Sequence, residues 1–282
     1  MIFEQLSTVF SDQVIFILLF IFLAGAIVGL LSGLFGIGGG IVSVPTLFYF
    51  FGFINIEEEI RMHMAVGTSL SIIIPTAITS ILGHKKRKSI DFKLLKKIIL
   101  GTLVGATMGG IFASNLASST LLLTYTIVIF LISLYMLLGR EEWVISQQPP
   151  SRILTSFVGM CIGFMSAIIG IGGGALSAPF FTLYNYSIHK AVGTASAMTL
   201  IVALSGTLTY IFTGIFHDIN SPFSFGYVHI LALLCFMPTA IIFSPVGVYI
   251  AHKMNKFTLR KAFAILLIFA SFNLFVEWLK IS

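Results

Sequence analysis

Charge is what this sequence has least of. Only 9% of its 282 residues are Asp, Glu, Lys or Arg, against roughly 25% in soluble domains, while 57% are apolar and the mean hydropathy is +1.06. That shortage excludes an ordinary soluble domain and describes a polytopic membrane protein. Cysteine is scarce as well: Cys161 and Cys235 both fall inside apolar stretches and form neither a disulfide framework nor a metal set. No Lys or Arg precedes Arg61, so the N terminus lacks the basic start of a signal peptide.

Acidic residues are missing where they would matter most. Glu57, Glu58, Glu59, Asp91, Glu141, Glu142, Asp218 and Glu277 lie in loops or at the ends of apolar stretches, never deep inside one. A cation carrier normally places a carboxylate at mid-membrane, so their absence points to an anionic or neutral substrate. Enzyme signatures are absent too. There is no H-E-x-x-H, there are no paired intramembrane aspartates, and Ser32 in GLLSG lacks the spacing of an intramembrane serine protease. The expectation is a protein that is not an enzyme and uses no cofactor or metal.

Glycine, by contrast, is abundant and patterned. Residues 29–46 read GLLSGLFGIGGGIVSVPT and residues 163–180 read GFMSAIIGIGGGALSAPF. The copies share Gly29/Gly163, Ser32/Ser166, the pentapeptide GIGGG at 36–40 and 170–174, Ser43/Ser177 and Pro45/Pro179. A second block follows each, HMAVGTSLS at 63–71 and HKAVGTASA at 189–197. Two matched blocks in one order define a tandem of homologous halves. The expected division is 1–140 for the first repeat, 141–152 for a linker and 153–282 for the second repeat.

Each glycine weakens a helix by roughly 1 kcal/mol relative to alanine, so four in five positions break it. Broken backbone is tolerated in a bilayer only where protein buries it or where it lines a polar cavity. The helix that starts after the break offers free N–H groups and a partial positive charge, a natural anion site. Close packing or a tight turn would explain one such stretch; two in corresponding positions favour a transport site. GIGGG does not match G-x-G-x-x-G, because Ile41 falls where the last glycine should be.

The first half holds apolar segments at about 13–35, 41–54, 64–83, 94–114 and 120–139, and the second at about 153–169, 175–187, 191–216, 226–251 and 258–279. The second segment of each half falls well short of the ~20 residues that a crossing needs. It is expected to be a short or re-entrant helix starting at GIGGG. Small residues every four positions, Gly25/Gly29/Gly33 and Gly101/Gly105/Gly109, suit close helix packing.

The net charge of +6 and pI near 9.4 would suggest nucleic acid in a soluble chain, but here the bases sit in short loops and set orientation. Loop 84–93 is basic while its counterpart 217–224 is not; 114–119 is uncharged while 252–261 carries four bases. The bias swaps between halves, as inverted repeats require. With both termini outside, 14 of the 16 Lys and Arg lie inside, all but Arg61 and Lys280. Parallel halves would leave only 10 inside. The fold class expected is therefore an all-α integral membrane bundle of two inverted repeats with Gly-rich broken helices, in the plasma (inner) membrane.

The duplicated G-x-x-S-x-x-x-G-I-G-G-G…P, each copy followed by A-V-G-T, resembles the TauE/SafE family of sulfite exporters, also called the sulfonate-uptake permease family. The resemblance covers nearly the whole chain. Departures are Ala167 for Gly33, and Ala195 and Ala197 for Ser69 and Ser71. It implies a permease for small anions such as sulfite or organosulfonates. Candidate substrate-binding residues are Ser43, Thr68, Ser177 and Thr194 with Gly38, Gly39, Gly40, Gly172, Gly173 and Gly174, the four hydroxyls being expected around one polar cavity. His63 and His189 are candidates for gating or proton linkage. The expected partners are a small anion and the lipid bilayer, with no nucleic acid; homo-oligomerisation stays open. A passive anion channel, a carrier of another anion such as a carboxylate, and a non-transporting scaffold are the competing readings.

Overall fold

Why these residues form a bundle is visible at the helix ends. The structure, a computed structural model, describes residues 12–35, 39–138, 146, 151–219, 221–251, 253 and 256–281. The first half contributes α1 (Asp12–Phe35), α2 (Gly40–Phe53), α3 (Glu58–Lys86), α4 (Phe92–Ser114) and α5 (Ser118–Leu138). The second contributes α6 (Arg152–Ile169), α7 (Gly174–Leu183), α8 (Ile188–Phe216), α9 (Ile230–Ala251) and α10 (Lys256–Ile281). Asp91 starts α4 by accepting the N–H groups of Lys93 (2.9 Å) and Leu94 (3.1 Å), and Ser151 starts α6 by accepting that of Leu154 (3.2 Å). Gly170, at φ 70°, ends α6 in the left-handed conformation that glycine adopts without strain.

Seven of the described helices are long and apolar enough to cross a membrane. The short members are the second of each half, as expected. α2 has 14 residues and α7 has 10, about 21 and about 15 Å at 1.5 Å per residue, against a hydrocarbon core of about 30 Å. Proline interrupts the hydrogen bonding of α2 in a particular way. Pro45 has no N–H for the carbonyl of Ile41, and the Tyr125 hydroxyl donates to that carbonyl instead, at 2.8 Å.

One departure from the sequence reading lies ahead of α9. The apolar segment placed at 226–251 begins instead with a two-strand hairpin, β1 (Ser224–Phe225) against β2 (Val228–His229), and the helix starts at Ile230. Gly226, at φ 57°, turns the hairpin and packs its bare Cα against the Ile211 carbonyl.

The halves interlock, and the glycine rows show how. Gly101, Gly105 and Gly109 of α4 lie against the backbone of Ser156, Met160 and Phe164 of α6, so these helices run parallel. Gly25, Gly29 and Gly33 of α1 meet Phe236, Ala240 and Ser244 of α9 in the same sense. The first helix of each half thus packs on the fourth of the other. Between the matched helices α3 and α8 the order reverses: Gly67 faces Tyr210, Ser71 bonds Thr207 (3.4 Å) and Ser80 bonds Ser196 (3.1 Å). α3 runs parallel to α9, through Thr68/His229, Thr79/Ser244 and Gly83/Val248, and α4 runs parallel to α8, through Asp91/Thr194 and Gly110/Thr209. Hence α1, α3 and α9 point one way and α4, α6 and α8 the other. Each matched pair of long helices so placed is antiparallel.

Candidate functional site

The two glycine breaks touch. Gly39 caps α2 at φ 75°, and a Cβ there would come within 2.6 Å of the Val28 carbonyl oxygen. At Gly40 any side chain would run into the Gly170 carbonyl and the Ile171 Cα, so the start of α2 rests directly on the second copy of the motif. Gly170 is equally confined, with Val66 and Val44 methyls 2.9 and 3.1 Å from where its Cβ would sit. Gly172 has φ 67°, and Gly173 and Gly174 are the cap and first residue of α7. Gly38 lies outside the described residues.

Around this contact the hydroxyls divide into two kinds. The Ser69 hydroxyl donates to the Gly170 carbonyl at 2.9 Å and lies 2.6 Å from Ser43 Oγ. Ser43 and Ser69 are both fully buried. By contrast, Ser32, Ser166 and Ser177 are fully buried yet have no hydrogen-bond partner. Among the described residues these are the only buried hydroxyls so left, and all three belong to the duplicated glycine motif. Ser32 and Ser166 were not among the expected binding residues, although their recurrence in both copies was a usable signal. Among the described residues no Asp, Glu, Lys or Arg is buried, and no group of three His, Cys, Asp or Glu could hold a metal.

Thr68 and Thr194 have a different placement. The Thr68 hydroxyl accepts the backbone N–H of His229 (2.9 Å), just ahead of α9, and that of Thr194 accepts the N–H of Asp91 (3.0 Å), just ahead of α4. The glycine before each threonine admits the carbonyl two residues earlier, Tyr227 beside Gly67 and Ser89 beside Gly193. The A-V-G-T block therefore docks the loop that enters the other half's fourth helix. The antiparallel α3/α8 pairing sets Thr68 and Thr194 about fourteen residues apart along the bundle, about 21 Å at 1.5 Å per residue. The antiparallel pairing thus carries the two threonines into opposite halves of the α3/α8 pair, each bonded to a loop and neither to Ser43 or Ser177.

The matched histidines are likewise kept apart. His63 is buried near the start of α3, with Nε2 3.1 Å from the Ala113 carbonyl, which requires the ring to donate from Nε2. Its Nδ1 has no partner, and its ring stacks on Tyr227 at 5.0 Å. The Tyr227 hydroxyl in turn lies 3.0 Å from His217 Nδ1. His189 is exposed at the start of α8, at the other end of the bundle.

Apolar helices long enough to span, with an outward face of residues such as Leu100, Phe112, Phe212 and Phe269, define an integral membrane protein. Comparison with known proteins says which kind. Residues 21–274 match the family described as Sulfite exporter TauE/SafE. A Haemophilus influenzae protein named "Probable membrane transporter protein" is 30% identical over 255 residues, 90% of this chain and 97% of its own. Another so named, from Methanocaldococcus jannaschii, is 30% identical over 241 residues, 84% of this chain and 88% of its own. The Bacillus subtilis protein "Probable membrane transporter protein YunE" is 26% identical over 275 residues, 90% and 95% of the two chains. No solved structure matches significantly. The chain belongs to the TauE/SafE family and is a membrane transporter.

Proposed function

We propose that the protein is a secondary carrier of a small oxyanion, sulfite or an organosulfonate, working by alternating access between two inverted repeats, 1–140 and 153–282, joined by the linker 141–152. The observation that carries this reading is the confinement of the unpartnered buried hydroxyls, Ser32, Ser166 and Ser177, to the two copies of a motif whose breaks touch. Neutral donors and two helix starts suit an anion, and the lack of buried carboxylates among the described residues leaves nothing there to repel one. Neutral donors also suit release, since a buried Arg–sulfonate pair would be charge-assisted and slower to part. The opposite directions of the matched helices support the inverted arrangement, with both termini outside and the protein in the inner membrane.

The test is flux of labelled sulfite, organosulfonates and carboxylates in proteoliposomes, with and without imposed ion gradients. Saturable oxyanion flux that responds to a gradient is the expected result. Flux that does not saturate identifies a channel, preference for carboxylates changes the substrate, and movement of cations alone overturns the reading.

A further inference from the structure

The two halves carry the same serine after the glycine break, and the structure treats the two copies differently. Ser69 has one hydroxyl proton and gives it to the Gly170 carbonyl at 2.9 Å. In the 2.6 Å contact between Ser43 and Ser69, the proton must therefore come from Ser43. The Ser43 donor is thus used up inside the protein.

The second half does not repeat this pair of bonds. The position matched to Ser69 is Ala195, buried completely, whose methyl group can accept nothing. Ser177, the match of Ser43, is buried completely and its hydroxyl has no partner. It lies in the first turn of the ten-residue α7, whose cap residue Gly173 makes no side-chain capping bond. A buried donor without an acceptor is costly and calls for one. An oxyanion at this helix start supplies an acceptor that bears charge, and the helix terminus favours it further.

We propose that Ser177 is the hydroxyl that donates to the transported oxyanion, and that Ala195 makes the site one-sided by leaving that donor free while Ser69 occupies the other. This rests on the reading that the substrate is a small oxyanion held at the glycine breaks. The two copies of this serine then play different parts: Ser43 is tied to Ser69, and through it to the Gly170 carbonyl, while Ser177 presents its donor.

The experiment is sulfite and methanesulfonate binding by the full-length protein in nanodiscs, measured calorimetrically, alongside flux in proteoliposomes. Ser177→Ala removes a hydroxyl that bonds to nothing in the protein, so folding is expected to hold, checked by size exclusion. Its dissociation constant should rise roughly ten- to hundredfold, the usual loss for a hydrogen bond to a charged group. Ala195→Ser should weaken binding although it adds a hydroxyl, because it rebuilds the first half's pair and occupies the Ser177 donor. The double variant should bind no more weakly than Ser177→Ala, and Ser43→Ala should weaken binding clearly less. Equal losses from Ser43→Ala and Ser177→Ala, or unchanged affinity in Ala195→Ser, overturn the assignment while leaving the oxyanion reading in place. A wild-type protein that neither binds nor moves any oxyanion overturns both.

Discussion

The Thr68 hydroxyl accepts the backbone N–H of His229, a residue 161 positions further along the chain, at 2.9 Å. The matched Thr194 does the same for Asp91 at 3.0 Å. Each repeat thus closes the loop that leads into the other repeat's fourth helix, and the two closures lie in opposite halves of the α3/α8 pair.

Replacing either threonine by valine keeps the shape and removes the acceptor, leaving a backbone N–H unpaired. Thr68→Val and Thr194→Val should each lower stability by about 1–3 kcal/mol, and their effects should add because the sites are far apart. Thermal unfolding of the purified single and double variants checks this. Wild-type stability in both singles would mean that these hydrogen bonds do not hold the loops.

Close approach at the break should make glycine indispensable at two positions and dispensable at a third. Gly40→Ala would drive a methyl group into the Gly170 carbonyl, and Gly170→Ala adds a positive φ to contacts with Val66 and Val44. Both should lose folded yield or transport. At Gly83 an added Cβ would meet Val248 Cγ1 at 3.6 Å, ordinary contact, so Gly83→Ala should behave as wild type. Yield and flux of the three variants, measured together, separate confinement from mere helix propensity.

Orientation in the membrane follows from the helix directions and the basic loops. α3 and α9 run parallel, so 85–88, at the end of the one, and Lys253, which follows the other, share one end of the bundle. At the other end Ser118 accepts the Met62 N–H, and the adjacent His63 contacts Ala113 and stacks on Tyr227, which meets His217. Single cysteines introduced at 86 and 256 should stay unlabelled by an impermeant thiol reagent in whole cells, while those at 117 and 221 should label. Labelling at 256 from outside would reverse the assignment.

His229 should make stability depend on pH. Its Nδ1 accepts the Ala232 N–H at 3.1 Å, so the ring is neutral, and burial lowers its pKa below the usual histidine value. The unfolded chain then takes up a proton first as pH falls. The stabilisation is complete above about pH 6.5 and declines as pH drops from there through the lowered folded value. His229→Asn, which keeps an acceptor but does not titrate there, should show a shallower fall in Tm between pH 8 and pH 5. Equal slopes would remove His229 from that dependence.

Much of this protein was written locally in its residues. Low charge and long apolar runs determined a membrane bundle, four glycines in five positions determined where helices stop, and the repeat of Ser32, Ser43 and Pro45 as Ser166, Ser177 and Pro179 determined the duplication and the family resemblance. These follow from composition, spacing and backbone propensity, which act within a few turns of chain. Only the tertiary structure decided which helices meet: that α1 packs on α9, α6 on α4, and Gly40 on Gly170. It also decided that Thr68 and Thr194 hold loops in opposite halves of the α3/α8 pair, and that the Ser43 proton goes to Ser69 while Ser177 keeps its own. A hydroxyl's role depends on what lies within about 3 Å of it. For these residues that neighbour comes from an element 26 to 161 positions away, a relation no local pattern encodes.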